Sequence, residues 1–424
     1  MQAFTLLFLA AFGLTVSLRV WLALRHIRHV RAHRLEVPPD FAAQITLPAH
    51  QKAADYTIAK TRLSLFGILS EGVLLLAFTL GGGLEALAHH TAGLFADPLW
   101  QGTALIFTVF AIIAVAELPL GIYRTFVIDE RFGFNKTTPA LFIKDLVKQL
   151  ILSVALGVPL ILGVLWLMAR MGENWWLYVW LGWMGFNLLV LALYPTLIAP
   201  IFNKFAPLED ELLKKRVEKL LGECDFQAQG LFVMDGSKRS THGNAYFTGF
   251  GKSRRIVFFD TLLARLTHDE IIAVLAHELG HFKHRHIVKR IVLIFAMSLA
   301  GLWLLGWLMG RAWFFTGLGV ATPGTAMALV LFLLVSPAFT FLLQPLMSFY
   351  SRRHEFEADR YATRHARADD LVCALVKLYN DNAATLTPDP LHSAFYDSHP
   401  PAAIRVAQLG QPPASHRLTT KNKP

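Results

Sequence analysis

Long apolar runs separated by short polar connections dominate the chain from its start to about residue 350. A helix needs about 20 mostly apolar residues to cross a bilayer. Seven runs meet that length, at 3–24, 63–88, 103–123, 147–170, 175–199, 287–310 and 325–349. The pattern predicts an all-α membrane protein with seven transmembrane helices. The first run lacks a basic leading segment and a cleavage site, so we expect a retained helix and not a signal peptide.

Basic residues alternate between the connections. The connection after the first run is strongly basic, whereas the next one, "HHTAGLFADPLWQG", has no Lys or Arg. Because basic loops stay on the cytoplasmic side, the alternation predicts an N-terminus outside. It also places the segment 200–286 and the tail after the last run together in the cytoplasm.

The segment 200–286 has the pattern of a soluble unit. Apolar residues at helical spacing in "LEDELLKKRVEKLLGECDF" predict an amphipathic helix. "GLFVMDG" predicts a short strand, and "NAYFTGFGKSRRIVFFD" predicts two strands joined at the Gly-Lys-Ser turn. A small β-sheet is therefore expected between the fifth and sixth spans.

Composition agrees with a membrane protein. Hydrophobic residues make up 54% of the chain and charged residues 17%, and the mean hydropathy is +0.45. The net charge of +10 comes without a basic stripe or a nucleic-acid-binding motif, so nucleic acid is excluded as a partner. Two cysteines, Cys224 and Cys373, form neither a disulfide framework nor a cysteine zinc site.

One stretch, "THDEIIAVLAHELGHFKHRH", contains many ionisable side chains just before the sixth run. Thr267 and Glu270 form a capping box that predicts a helix start. His277 and His281 then lie four residues apart on one helical face, about 5–6 Å apart at their Cβ atoms, so both can bind one zinc ion. Glu278 can reach a water molecule beside that ion, as in the H-E-x-x-H motif of metalloproteases. An amphipathic helix with solvated histidines is the alternative, but it explains the apolar flanks poorly.

A catalytic zinc site needs a third protein ligand. The sequence "SRRHEFEADRYA", after the last run, offers Glu355 as that ligand and Asp359, four residues on, as a carboxylate that orients one imidazole. Glu357 points about 200° away on a helix of 3.6 residues per turn and is excluded as a ligand. An ordinary charged helix paired with nearby arginines explains the spacing equally well.

Two further histidines, His284 and His286, follow the motif. Neither has a second ligand residue at a matching spacing in the sequence. We interpret them as interfacial or supporting groups in preference to ligands.

Six long stretches resemble one family in the right order. The chain resembles the type I CAAX prenyl proteases, seven-span zinc endopeptidases of the gluzincin group. The stretches are "FVIDERFGFNKTT" (126–138), "YPTLIAPIFNKFAPLE" (194–209), "SKRSTHGNAYFTGF" (237–250), "AHELGHFKH" (276–284), "SRRHEFEADRYA" (351–362) and "DSHPPAAIR" (397–405).

The resemblance implies properties that spacing does not give. It implies a barrel of seven tilted helices around a chamber, with one zinc ion held by His277, His281 and Glu355. It also implies that Asn244 lines the substrate cleft, and that His399, with Arg405 close by, stabilises the transition state. From the residues alone, "NAYF" is an edge strand to which a peptide can add, and "SHPP" is a loop.

The hypothesis is hydrolysis of peptide bonds, with removal of the C-terminal tripeptide of prenylated Cys-a-a-X proteins as the implied reaction. The expected partners are a peptide or prenylated protein substrate and the lipid bilayer. The active site is expected on the cytoplasmic side, in the inner or plasma membrane of a bacterium or the endoplasmic reticulum membrane of a eukaryote. The alternatives are a membrane quality-control protease of broad specificity and a carrier or scaffold without catalysis.

These inferences divide the chain into five parts. They are membrane spans one to five (1–199), the cytoplasmic metalloprotease segment (200–286), spans six and seven (287–350), a helical segment that completes the zinc site (351–410) and a disordered tail (411–424).

Overall fold

The computed structural model describes residues 2–248 and 254–410. The predicted turn at Gly251, Lys252 and Ser253 and the predicted tail 411–424 lie outside the described residues. The helices are α1 Ala3–Ala32, α2 Leu47–Phe78, α3 Gly83–Ala92, α4 Pro98–Tyr123, α5 Pro139–Arg170, α6 Trp175–Leu193, α7 Ala199–Phe202, α8 Glu211–Glu223, α9 Asp260–Leu263, α10 His268–Lys283, α11 His286–Met309, α12 Ala312–Thr316, α13 Thr325–Thr340, α14 Gln344–Ala362, α15 Ala368–Asp381, α16 Pro390–Tyr396 and α17 Ala402–Leu409.

Seven helical segments in the described part of the chain are long and apolar enough to cross a membrane. They confirm the predicted multi-pass, mainly helical fold. The segments are Ala3–Ala32, Leu47–Phe78, Pro98–Asp129, Pro139–Arg170, Gly172–Phe202, His286–Met309 and Thr325–Ala362.

The second span differs from its predicted range of 63–88. The helix starts earlier, after Thr46, whose side chain accepts a hydrogen bond from the backbone N–H of Ala49. It ends at Phe78, and the chain turns through Gly82, which has a φ of +75°. Glycine adopts this left-handed conformation without a steric penalty, so the apolar run is divided between α2 and α3.

A cavity of about 1100 Å³ lies among α1, α2, α4 and α13. Its wall is mostly apolar and also carries an ion pair between Arg19 and Glu71, whose closest atoms are 2.7 Å apart. Tyr396, on α16, borders the same cavity. Tyr396 is three residues before His399 in the chain, so the Cα atoms of these two residues lie within about 11 Å of each other.

A four-stranded sheet lies in the segment between the fifth and sixth spans, with strand order β1-β2-β4-β3. Its strands are β1 Phe205–Pro207, β2 Gly230–Met234, β3 Ala245–Thr248 and β4 Arg255–Phe259. The predicted strands β2, β3 and β4 are confirmed; β2 and β4 pair in parallel, and β3 pairs with β4 antiparallel. Strand β1 was not predicted, because it has only three residues and includes a proline, a residue disfavoured inside sheets.

The soluble helices pack on this sheet around one apolar core. On α8, Leu213, Val217 and Leu220 are buried at helical spacing, which confirms the predicted amphipathic helix. They join Ile256 and Phe258 of β4 in the same core. Helices α10 and α15 also contribute to this core, which fixes α10 between the sheet and the C-terminal helices.

Candidate metal centre and active site

The start of α10 is fixed by the predicted capping box. The backbone N–H of Thr267 donates to Glu270 Oε2 over 2.8 Å, and the backbone N–H of Glu270 donates to Thr267 Oγ1 over 3.4 Å. Lys377 of α15 binds the same Glu270 carboxylate at 2.7 Å. The helix therefore begins in a defined place, and its second half carries the H-E-x-x-H residues.

Three side chains from two helices meet at one point. His277 and His281 of α10 place their Nε2 atoms 3.2 Å apart. Glu355 of α14 approaches them with Oε2 at 3.5 Å from His277 Nε2 and Oε1 at 3.4 Å from His281 Nε2. The structure thus brings the three predicted metal ligands together, although 74 positions separate His281 from Glu355 in the sequence.

The donor set fits a zinc ion. Ligand atoms about 2.0–2.1 Å from a tetrahedrally coordinated zinc ion are about 3.3–3.4 Å from one another. The separations of 3.2, 3.4 and 3.5 Å match that spacing. In addition, Glu355 Oε2 is buried and has no hydrogen-bond partner among the described residues. A buried carboxylate oxygen without a partner is costly unless a cation or proton satisfies it.

Asp359 and Arg405 support the first histidine from behind. His277 Nδ1 is 2.8 Å from Asp359 Oδ1, and Arg405 binds both carboxylate oxygens of Asp359 at 2.7 Å. Since the Nδ1–H group donates to Asp359, the lone pair at Nε2 faces the other ligands. Arg405 Nη1 is 3.6 Å from Glu355 Oε2, so one guanidinium contacts both carboxylates.

The two ligand histidines differ in basicity. Burial lowers the pKa of His277, but the neighbouring carboxylates of Asp359 and Glu355 raise it by more and bring it to about 9. Burial, followed by repulsion from His277, lowers the pKa of His281 to about 3. Binding of a cation at His277 therefore competes with protonation of that ring.

Glu278 lies on the wall of a second cavity, of about 380 Å³, together with His277, Glu355 and His399. Burial is the main cause that raises the pKa of Glu278. A carboxylate with a raised pKa is a stronger proton acceptor than an exposed one. The cavity brings a potential base, the ligand set and room for a substrate into one place.

His399 and Asn244 border the same cavity from other elements. His399 Nε2 is 3.5 Å from Glu355 Oε1, and Ser398 Oγ lies 3.0 Å from His399 Nδ1. Asn244 is exposed immediately before β3, the edge strand of the sheet, and its backbone carbonyl accepts a hydrogen bond from the Phe259 N–H. The cavity wall therefore carries six of the predicted site residues, which are Asn244, His277, Glu278, Glu355, His399 and Arg405. The other two, His281 and Asp359, contact Glu355 and His277.

One pair of residues near the site was not assigned from the sequence. His286 contacts His281, and Glu357 contacts His286. From the sequence, His286 was interpreted as an interfacial or supporting group, and Glu357 was excluded as a ligand. The two side chains meet because α10 ends at Lys283 and the left-handed residue Arg285 turns the chain back, which no pattern in the sequence signals.

Gly280 allows α10 and α14 to approach closely. A Cβ atom at this position would lie 2.8 Å from Ala358 Cα and 3.0 Å from the Ala358 carbonyl oxygen. Real Cβ atoms do not approach backbone atoms that closely, so any side chain here forces the helices apart. Gly280 therefore lets His277 and His281 of α10 approach Glu355 of α14.

We expect Gly280→Ala to weaken metal binding and to lower stability by about 1–3 kcal/mol, the usual cost of an overpacked core. The measurements are zinc titration and thermal unfolding of the purified protein. Gly222→Ala on α8 is the matched control, because a Cβ there meets nothing within 4 Å. Zinc affinity in Gly280→Ala equal to that of the unmodified chain would contradict this account of the helix contact.

Comparison with known proteins decides the family. The family model described as "CAAX prenyl protease N-terminal, five membrane helices" matches residues 26–204, and "Peptidase family M48" matches residues 207–412. Together the two models span most of the chain.

The chain belongs to peptidase family M48.

Three relatives are similar over 70–94% of each chain. A protein named CAAX prenyl protease 1 homolog from Homo sapiens is 31% identical over 94% of each chain. CAAX prenyl protease 1 of Saccharomyces cerevisiae is 32% identical over 91% of each chain. The homolog from Arabidopsis thaliana is 40% identical over 70% of each chain.

A solved structure agrees with the M48 assignment. The crystal structure of S. mikatae Ste24p has a TM-score of 0.89 and 31% identity, covering 96% of this chain and 99% of that one. The family predicted from the sequence is therefore confirmed. The protein is a membrane-embedded protease of a metallopeptidase family.

Proposed function

We propose that this chain is a zinc endopeptidase that removes the C-terminal tripeptide of prenylated Cys-a-a-X proteins. The observation that carries the zinc assignment is the set of ligand separations of 3.2, 3.4 and 3.5 Å among His277, His281 and Glu355. The substrate class is supported by the names of the relatives, which are CAAX prenyl proteases at 31–40% identity.

In the proposed mechanism His277, His281 and Glu355 hold one zinc ion. Zinc, when bound, supplies Lewis acidity to the scissile carbonyl and to a water molecule. Glu278 accepts a proton from the attacking water on a carboxylate oxygen and returns it to the leaving nitrogen. Its raised pKa suits this double role, because the group must both accept and release the proton near neutral pH.

His399 is the proposed donor to the developing oxyanion. The Ser398 hydroxyl lies 3.0 Å from His399 Nδ1. With Nδ1 accepting that hydrogen bond, the ring proton of a neutral imidazole resides on Nε2, which is the nitrogen directed at the site. Removing one such donor costs about 10²–10³ in rate in other enzymes. Arg405 was also predicted to act here; its bidentate contact with Asp359 favours a role in holding Asp359 and His277 in place.

The substrate backbone is proposed to add to the edge of β3 that no other strand of the described residues occupies. This strand pairs with β4 on one side, and Asn244 stands at its start on the wall of the cavity. A peptide that adds to a strand edge is held through its backbone hydrogen bonds. Such binding places an extended chain across the metal site with little dependence on its side chains.

The mostly apolar cavity among α1, α2, α4 and α13 is the proposed place for the prenyl chain. It reaches Tyr396, close in sequence to His399.

The basic loops support a site that faces the cytoplasm, with the protein in the endoplasmic reticulum of a eukaryote or the inner membrane of a bacterium.

Two peptides of identical Cys-a-a-X sequence, one farnesylated on the cysteine thiol and one free, test the substrate. We expect kcat/KM for release of the tripeptide to be at least tenfold higher with the farnesyl group, since burial contributes about 0.8 kcal/mol per CH₂. The products are identified by mass spectrometry with protein in lipid vesicles. Equal rates, or cleavage at other bonds, would favour the quality-control protease of broad specificity.

A further inference from the structure

The second proposed zinc ligand, His281, contacts another histidine through the ring nitrogen that faces away from the metal site. His281 Nδ1 is 2.9 Å from His286 Nδ1, and His286 Nε2 is 3.0 Å from Glu357 Oε2. We call His286 and Glu357 the relay pair. His286 is buried, with only 3% of its surface exposed, and its ring stacks on His354 with ring centroids 4.0 Å apart. The imidazole is therefore held in one orientation by contacts on its face and at both nitrogens.

A break between two helices makes this contact possible. In a continuous helix, residues five apart are separated by about 500° of rotation and so point about 140° apart. Here α10 ends at Lys283, Arg285 has a φ of +55°, and α11 begins at His286. A left-handed residue of this kind is uncommon outside glycine. It turns the chain so that His286 lies back against His281.

The chemistry of the three groups fixes where the protons lie. An ionised Glu357 only accepts hydrogen bonds, so it selects the form of neutral His286 that carries its proton on Nε2. Nδ1 of His286 is then an acceptor, and it selects the form of His281 with its proton on Nδ1. The remaining lone pair of His281 is on Nε2, the atom that faces His277 and Glu355. The opposite arrangement would place a proton on His281 Nε2 and would direct a lone pair of His286 at a carboxylate.

Each of the two histidines of α10 is anchored by its own carboxylate from α14. Glu355 is in the ligand set, and Asp359 is bound directly to Nδ1 of His277. Glu357, between them on the same helix, reaches Nδ1 of His281 through the intervening imidazole of His286. One helix therefore presents a ligand and an anchoring carboxylate for each of the two imidazoles of α10.

We propose that His286 and Glu357 are positioning residues that hold His281 in the ring orientation and proton form required to bind the metal, with Glu357 acting through His286. This inference rests on the proposed metal site and goes beyond it. Outer partners of metal-bound histidines are typically worth about 10–100-fold in metal affinity. We expect loss of His286 to cost that factor.

Zinc affinity, measured by competition with a chromophoric chelator in detergent, tests the relay without a substrate. His286→Phe keeps the stacking on His354 and removes both nitrogens, so its Kd should rise about 10–100-fold. Glu357→Ala should raise the Kd in the same direction. Because the carboxylate acts through His286, the double variant should bind zinc no more weakly than His286→Phe alone. Co²⁺ absorption spectra of the same variants report the change in ligand field at His281.

His90→Phe is the matched control, since His90 is an exposed histidine on another helix, α3; its Kd should not change. Thermal unfolding of the metal-free variants shows that each is folded. A His286→Phe protein that is folded and binds zinc as tightly as the unmodified chain overturns the relay, and so do additive losses in the double variant. Two zinc ions per unmodified chain, falling to one in His286→Phe, would overturn it in favour of a second metal site. Failure of the unmodified chain to bind zinc would instead refute the proposed function.

Discussion

Replacing Glu278 with glutamine is expected to abolish peptide cleavage while the protein stays folded and keeps its metal. Glutamine has nearly the same shape but cannot accept a proton from water at neutral pH. Positioned general bases contribute about 10²–10⁴ in rate, and Glu278 is proposed both to accept and to return the proton, so we expect the upper part of that range. Metal content by atomic spectroscopy and the rate of tripeptide release from a farnesylated peptide measure the two quantities separately.

The control for this variant is Asp269→Asn. Asp269 is an exposed carboxylate in the first turn of the same helix, so the substitution changes α10 by the same charge far from the cavity. It should keep both metal and activity. Substantial cleavage by a metal-loaded Glu278→Gln protein would show that another group is the base, and His399 is the alternative on the cavity wall.

The features that local pattern determines were predictable from the sequence. Seven apolar runs gave seven membrane helices because a span has a minimum length set by the bilayer. The capping box at Thr267 gave the start of α10, and helical geometry then placed His277 and His281 on one face. The boundary of the second span was wrong because apolar composition does not report the backbone reversal at Gly82.

The parts that depend on tertiary packing were not derivable from spacing. Glu355 and Asp359 fitted a charged helix as well as a metal site, and the family resemblance was needed to favour the ligand role. Their contact with α10 depends on the close approach at Gly280, which only three-dimensional packing reveals. The relay from His281 through His286 to Glu357 depends in turn on one left-handed residue, Arg285. No hydrophobic period encodes such a conformation.

Replacing Glu355 with alanine is expected to lower zinc affinity by more than about a hundredfold, beyond the 10–100-fold typical of an outer partner. Two imidazoles on one helix do not complete a zinc site, which needs a third protein ligand when one position stays open for chemistry. Removing the carboxylate also takes away one of the two negative charges beside the buried Arg405, since Arg405 Nη1 is 3.6 Å from Glu355 Oε2. We therefore expect a modest loss of stability of the metal-free protein as well.

Comparison with Asp369→Ala separates these two effects. Asp369 is an exposed carboxylate, with 83% of its side chain accessible, in the first turn of α15. Its removal should leave zinc content and thermal unfolding unchanged. If Glu355→Ala retained one zinc ion per chain after gel filtration, the third ligand would have to be another group near the two imidazoles, and His399, 3.5 Å from Glu355 Oε1, would be the first to replace. If the zinc is lost while the metal-free protein remains folded, Glu355 is needed for binding and not for the fold, as the separations among the three side chains predict.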